Sequence, residues 1–183
     1  MPKLNDVSDE ELINKCRAGD GRHQEMLYKR FYGYAMGIGL RYQLNRDDAL
    51  EVVNDAFIKT FNALGSFKEG GDFKAWFRKI VVNTALDSKR KNLKYSNDVE
   101  LEDFNQQTTY PSAIDKLSVA DIMKMMKTLP QTQHTIFNLY EIDGYSHKEI
   151  GKMLNMPESS SRTYLTRAKQ ALQKLITKEL IQS

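Results

Sequence analysis

Apolar residues recur at helical spacing along most of the chain, and no stretch alternates with the period of a strand. The pattern is sharpest from Ser146 to Leu172. Ser146 and Glu149 form a capping box ahead of Ile150, Met153 and Leu154, which share one helical face. Asn155-Met156-Pro157 stops that helix, because Pro157 biases Met156 away from helical backbone and lets it fold back as an apolar plug. Glu158 and Ser159 then open a second helix with an acid and a capping side chain where the helix dipole favours them. Leu165, Ala168 and Leu172 make its apolar stripe, and Arg162, Thr163, Thr166, Arg167 and Lys169 lie off it. A short helix, a three-residue turn and a helix with a basic, hydroxyl-rich outer face is a helix-turn-helix pattern. An ordinary helical hairpin with a solvated face would use the same residues.

The rest of the chain predicts further helices. Ser8-Asp9-Glu10-Glu11 reads as a capping box before Leu12, Ile13 and Cys16, and Gly19-Asp20-Gly21 ends that short helix. A second helix starts near Arg22 and turns Met26, Leu27, Phe31, Tyr34 and Ile38 inward. Gly33, Gly37 and Gly39 each cost about 1 kcal/mol in a helix, which points to close approach by a neighbouring helix or to fraying after Gly37. Asn45 caps a third helix, with Leu50, Val53, Phe57, Ile58, Phe61 and Leu64 as its apolar positions. Asp48, Glu51, Asp55 and Lys59 occupy its outer side. A Gly-bounded loop from 65 to 71 holds Phe67, and Asp72 caps a fourth helix. That helix buries Trp76, Phe77, Ile80, Val81 and Leu86 and ends in Lys89-Arg90-Lys91.

On the fourth helix Phe73 and Trp76 alternate with Lys74, Arg78 and Lys79, with Asn83 one turn further on. Cationic grooves interleaved with aromatic faces hold single-stranded nucleic acid. Taken alone, the pattern favours the plainer reading, in which these aromatics belong to the core and the basic run complements the helix C-terminus. From Asn92 to about Ser112 the periodicity dissolves into a polar linker with an acidic patch at Asp98, Glu100, Glu102 and Asp103. It divides the chain into residues 1–92, a linker over 93–112, and residues 113–183. Helices resume over about Ile114–Thr128 and Gln131–Ile142. The expected fold is all-α, with two small helical domains and a flexible connection.

Composition narrows the function. The chain has 183 residues, 40% hydrophobic and 28% charged, as in a soluble globular protein. A net charge of only +3 means that any nucleic-acid surface is local. The single cysteine, Cys16, forms no internal disulfide and suits a reducing compartment. The longest uncharged apolar run, Phe31–Leu40, is too short to span a membrane, and no signal peptide is visible. His23, His134 and His147 are scattered, with neither a zinc-ligand spacing nor a phosphate-binding loop, so neither catalysis nor a bound metal or cofactor is expected.

The order of these motifs resembles one family. SDEELINKCRAGD, RDDALEVVNDAFIKTF and FKAWFRKIVVNTALDSKRK are similar to region two of the bacterial extracytoplasmic-function (ECF) sigma factors of the sigma-70 superfamily. LPQTQHTIFNLYEIDGYSHKEIGKMLNMPESSSRTYLTRAKQAL is similar to their region four. Gly151 stands where the family commonly has alanine. Ser161 stands where an aliphatic residue packs under the second helix of the pair, and is expected to loosen that packing.

The resemblance implies a dissociable, non-catalytic initiation subunit of RNA polymerase, cytoplasmic and monomeric when free. Its partners would be core polymerase, promoter DNA and an anti-sigma factor. Asp48, Glu51, Asp55, Phe57 and Lys59 would dock on the core enzyme. Phe67, Trp76, Arg78, Lys79, Asn83, Lys89 and Arg90 would hold the minus-ten element as single strand, Phe67 receiving a flipped base. A tuck of Phe67 onto Phe73 or Trp76 is the structural alternative. Ser160, Arg162, Thr163, Thr166, Arg167 and Lys169 would meet the minus-thirty-five duplex. A stand-alone helix-turn-helix regulator is the competing reading, but it requires a dimer interface or effector pocket that the first part of the chain does not offer. A purely structural adaptor would leave the basic face unused.

Overall fold

The computed structural model describes residues 7–43, 45–93 and 119–182, which contain eight α-helices and no strand. They fall into two compact units, Met1–Asp98 and Val99–Ser183. The polar stretch over 94–118, with its acidic patch and the start of the helix expected from Ile114, lies outside the described residues.

In the first unit α1 (Asp9–Arg17), α2 (Gly21–Tyr42), α3 (Arg46–Ala63) and α4 (Phe73–Leu93) pack together, with α2 touching the other three. Each starts on a side-chain cap that satisfies orphan amides of its first turn. Ser8 accepts from the Glu11 amide, Asp20 from Arg22 and His23, Asn45 from Asp48, and Asp72 from Ala75. Ser8 thus supplies the forward half of the predicted box. The core holds Leu12, Leu27, Tyr42, Val53, Phe57 and Phe77, each at most 2% exposed. Phe31, Phe57, Phe73 and Phe77 meet at ring-centroid distances of 4.9–6.0 Å, in edge-on, tilted and stacked pairs.

The second helix does not fray at Gly37 but continues to Tyr42. Of its three interior glycines only Gly39 meets a neighbour: a Cβ there would lie 3.1 Å from the Ala49 carbonyl oxygen of α3, so the two helices close over it. Such close approach also decides which side of α3 is buried. Ala49, Val52, Val53, Ala56, Phe57 and Thr60 face inward, whereas Leu50 and Ile58, predicted as core, are 37% and 59% exposed. On α4 the predicted core residues Trp76 and Ile80 are half-buried, while Phe73, Val82 and Ala85 are fully inside.

The second unit contains α5 (Val119–Met126), α6 (Gln131–Phe137), a π-helical turn (Asn138–Ile142), α7 (His147–Leu154) and α8 (Glu158–Gln182). α5, α6 and α7 each pack on α8. Met126, Leu129, Ala168 and Leu172 form one buried cluster of that core, flanked by Ile122, Met125, Phe137 and Ala171. The predicted helix over 131–142 therefore changes pitch at Asn138. The box opening α7 is complete: Ser146 Oγ accepts from the Glu149 amide at 3.3 Å, and the Glu149 carboxylate accepts from the Ser146 amide at 2.8 Å. Asn155 ends α7 at φ +53°, a left-handed cap that asparagine tolerates.

Candidate nucleic-acid interface

The turn between α7 and α8 fixes which side of α8 is free. The Met156 amide donates to the Gly151 carbonyl at 2.9 Å, drawing the start of α8 against α7. Ser161, Leu165, Ala168 and Leu172 are buried, so the predicted apolar stripe holds and Ser161 extends it. Ser161 is wholly buried, with its Oγ 2.9 Å from His147 Nδ1. On the other side Arg162, Thr163, Thr166 and Lys169 are exposed, with Ser160 and Arg167 half-buried. Thr163 and Thr166 donate their hydroxyl protons to the Ser159 and Arg162 carbonyls, each at 3.0 Å, which leaves both oxygens as acceptors. Arg162 pairs with Glu158 at 2.5 Å, and Lys169 with Glu141 at 2.6 Å. Such exposed pairs contribute about 0–1 kcal/mol, so a phosphate or base edge can replace either partner.

On α4 the predicted strand-binding residues divide. Trp76, Lys79, Asn83 and Arg90 recur at helical spacing on one face, which also carries Asp87. Lys79, Asn83 and Arg90 are exposed there, and Arg90 pairs with Asp87 at 2.9 Å. Arg78 lies half-buried on the opposite side, where Lys74, one turn earlier, sits 4.7 Å above the Tyr34 ring of α2. Lys89 is a correction: it is 8% exposed, and burial pulls its ammonium down to about 8. Its side chain therefore lies inside the bundle and off the exposed stripe. Lys91 lies outside the described side chains.

Phe67 is also not a free platform. It is 8% exposed, with its ring 5.6 Å from Phe73 in an edge-on pair and 5.1 Å from Trp76. The tucked arrangement is the one found, and Phe67 instead walls a pocket of about 330 Å³ between α1 and the loop over 64–72. Sequence reasoning missed the side chain that holds this loop. Arg17, from α1, donates to the Leu64 and Phe67 carbonyls and to Glu69.

The outer face of α3 carries acids and apolar groups together. Glu51 and Asp55 are exposed between Leu50, Asn54 and Ile58. Asp48 is half-buried and accepts from Asn45 Nδ2 at 2.9 Å, so it belongs to the helix cap as well. Phe57, expected on the docking face, lies instead in the core, 2% exposed against Tyr28, Phe61 and Phe77. Lys59 reaches toward α4, 3.4 Å from Asp87. Among the described residues no helix is long and apolar enough to cross a membrane, and no cluster of three metal-ligating side chains occurs.

Family models for Sigma-70 region 2 and Sigma-70, region 4 match residues 27–95 and 120–172. The RNA polymerase sigma-H factor of Pseudomonas aeruginosa is 25% identical over 186 residues, spanning 94% of this chain and 96% of that protein. The ECF RNA polymerase sigma-E factor of Escherichia coli K12 is 26% identical over 178 residues, 91% of this chain and 93% of its own length. Among solved structures, the sigma factor RpoE of Bartonella quintana, in complex with the anti-sigma factor NepR, shares the fold. Its TM-score is 0.54 at 20% identity, over 84% of this chain and 96% of that one. CnrH in complex with the cytosolic domain of CnrY gives a TM-score of 0.50 at 21% identity, over 92% of this chain and 97% of that one. Two regions matched in the family's own order, and relatives that align with nearly the whole chain, make this protein a member of the ECF sigma factors of the sigma-70 family.

Proposed function

We propose that this sigma factor divides promoter recognition among three faces. The outer side of α8 enters the major groove of the upstream element. The α4 stripe of Trp76, Lys79, Asn83 and Arg90, with the loop over 64–72, holds the downstream element as single strand. The α3 face of Leu50, Glu51, Asp55 and Ile58 docks on core RNA polymerase. The observation that carries this reading is the split of α8: a buried Ser161/Leu165/Ala168/Leu172 stripe, with Arg162, Thr163, Thr166 and Lys169 exposed outside it. Arginine grips guanine O6 and N7 together, and threonine can accept from a base or touch a thymine methyl. Lysine further along suits the phosphates.

The three faces do different work. Apolar side chains ringed by acids favour a basic protein surface rather than DNA. Aromatic edges beside cations and an exposed asparagine favour unpaired bases. The protein itself performs no chemistry; the polymerase does. It acts in the cytoplasm, is monomeric when free, and is held inactive by an anti-sigma factor.

Run-off transcription with core polymerase on a promoter library tests the proposal. With core enzyme, a defined pair of promoter elements is selected. The free chain, with a net charge of +3 and one recognition helix, shows no specific duplex binding in gel shifts at physiological salt. Tight, sequence-specific binding by the free protein as a dimer would favour the regulator reading instead.

A further inference from the structure

Arg17 is the last residue of α1, yet its guanidinium serves another part of the fold. Nε donates to the Leu64 carbonyl at 3.0 Å, and one terminal nitrogen donates to the Phe67 carbonyl. The other terminal nitrogen donates to Asn14 Oδ1 at 3.1 Å and to the Glu69 carboxylate at 3.3 Å. Leu64 and Phe67 bracket the single 3₁₀ turn that begins the loop. Within the loop the Phe67 amide returns to the Leu64 carbonyl at 3.2 Å, and the Gly71 amide to the Lys68 carbonyl at 3.1 Å. These local bonds shape the loop, and Arg17 ties that shape to the bundle.

Hydrogen bonds from a charged donor are the strong ones, and only the planar guanidinium fork satisfies several acceptors in fixed directions at once. The Arg17 side chain is 22% exposed and Glu69 is 77% exposed. The part-buried carbonyl contacts therefore fix the geometry, and the screened ion pair to Glu69 adds little. Arg17 also lines the pocket that α1 shares with Phe67 and Gly71. It precedes residues 27–95, where the region 2 model matches.

We propose that Arg17 is a positioning residue for capture of the downstream strand: from α1 it holds the 64–72 loop and the Phe67 wall in their strand-binding arrangement before DNA arrives. This rests on the assignment of that loop to the downstream element. A loop fixed in advance loses less conformational entropy on binding, so the effect falls on strand affinity.

The test compares wild type, Arg17→Lys and Arg17→Ala, each as full chain and as holoenzyme. Hydrogen exchange is read over residues 64–72 and over the four helices. Affinity is measured for single-stranded oligonucleotides with the intact or scrambled downstream element. Arg17→Ala is expected to lose protection in the loop alone, to retain core polymerase, and to lose preference for the intact strand by about tenfold. Arg17→Lys, which keeps the charge without the fork, falls between. Arg17→Ala with unchanged loop protection or unchanged strand preference overturns the proposal. So does loss of protection throughout α1–α4 in Arg17→Lys, because Arg17 would then only hold the bundle together. If wild-type holoenzyme shows no preference for the intact strand, the assignment of the loop fails, whatever Arg17 does to its protection.

Discussion

His147 Nδ1 and Ser161 Oγ lie 2.9 Å apart and buried, one on α7 and the other on α8. The Tyr140 ring covers the imidazole at a centroid distance of 4.3 Å. A polar pair thus stands at Ser161, within the otherwise apolar buried side of α8. Ser161→Ala removes one partner and leaves the other buried. It is expected to cost the second domain about 1–3 kcal/mol in denaturant unfolding.

Burial holds the His147 imidazole below its ordinary value of 6.5; Arg162 and Lys169 push the same way and Glu158 opposes them. Between the depressed folded value and 6.5, His147 is therefore neutral in the folded state more often than in the unfolded chain, which takes up a proton. The resulting stability is fully present above 6.5 and is lost as pH falls from there toward the depressed folded value. Unfolding midpoints of the second domain should drop on acidification through that window. In His147→Gln the drop should be smaller.

Gly151 is set by the turn that follows it. A Cβ at this position would sit 2.8 Å from the Met156 carbonyl oxygen. Alanine gains about 1 kcal/mol of helix propensity, but overpacking against backbone costs about 1–3 kcal/mol. Gly151→Ala should be destabilising by about 1 kcal/mol on balance, measured by thermal or denaturant unfolding. A gain in stability would mean that the turn relaxes freely.

The caps at Ser8, Asn45, Asp72 and Ser146 were legible in the sequence, because a cap needs only residues within one turn of it. So was the Leu165/Ala168/Leu172 stripe, which is a matter of periodicity. The inner face of α3 was not. Periodicity weights large apolar residues, and α3 buries Ala49 and Ala56 because α2 and α4 come close, leaving Leu50 and Ile58 outside. Lys89 reads as a surface cation in a basic run, and only the packing of the bundle shows it buried. Arg17 gave no local signal either, since its acceptors outside α1 lie 47 to 52 residues away.

That inversion on α3 predicts separable effects. Ile58→Ser removes an apolar group already 59% exposed, so stability should change by no more than about 0.5 kcal/mol. Binding to core polymerase should weaken, and reversing Glu51 and Asp55 to lysine should weaken it further by facing like charge to a basic partner. Competition for core enzyme against wild type reads both. Unchanged competition at an unchanged melting temperature would remove α3 from the docking surface.

Phe67 and Asn83 should behave oppositely. Phe67→Ala opens a cavity beside Phe73 and Trp76. It should lower the melting temperature and reduce open-complex formation about equally on duplex and pre-melted promoters. Asn83 is exposed on the α4 stripe. Asn83→Ala should leave the melting temperature alone and weaken binding of the single-stranded downstream element. A selective loss on duplex promoters for Phe67→Ala would show that its ring acts in melting as well as in packing.

Arg162 is tied to Glu158 at 2.5 Å, with 63% of its own side chain exposed. Reaching a base therefore requires only that a weak surface pair be exchanged for a bidentate contact, which is worth about 1–3 kcal/mol of discrimination. A contact to phosphate instead weakens every sequence alike and accepts lysine in place of arginine. Holoenzyme binding by Arg162→Lys and Arg162→Ala across single-base variants of the upstream element separates the two. Relaxed preference at one base position in both variants is the expected result, because lysine lacks the planar fork. Glu158→Gln frees the guanidinium without altering that fork, so it should preserve the preference. A uniform loss in Arg162→Ala, restored by lysine, would make Arg162 a phosphate anchor and leave base readout to Thr163, Thr166 and Arg167.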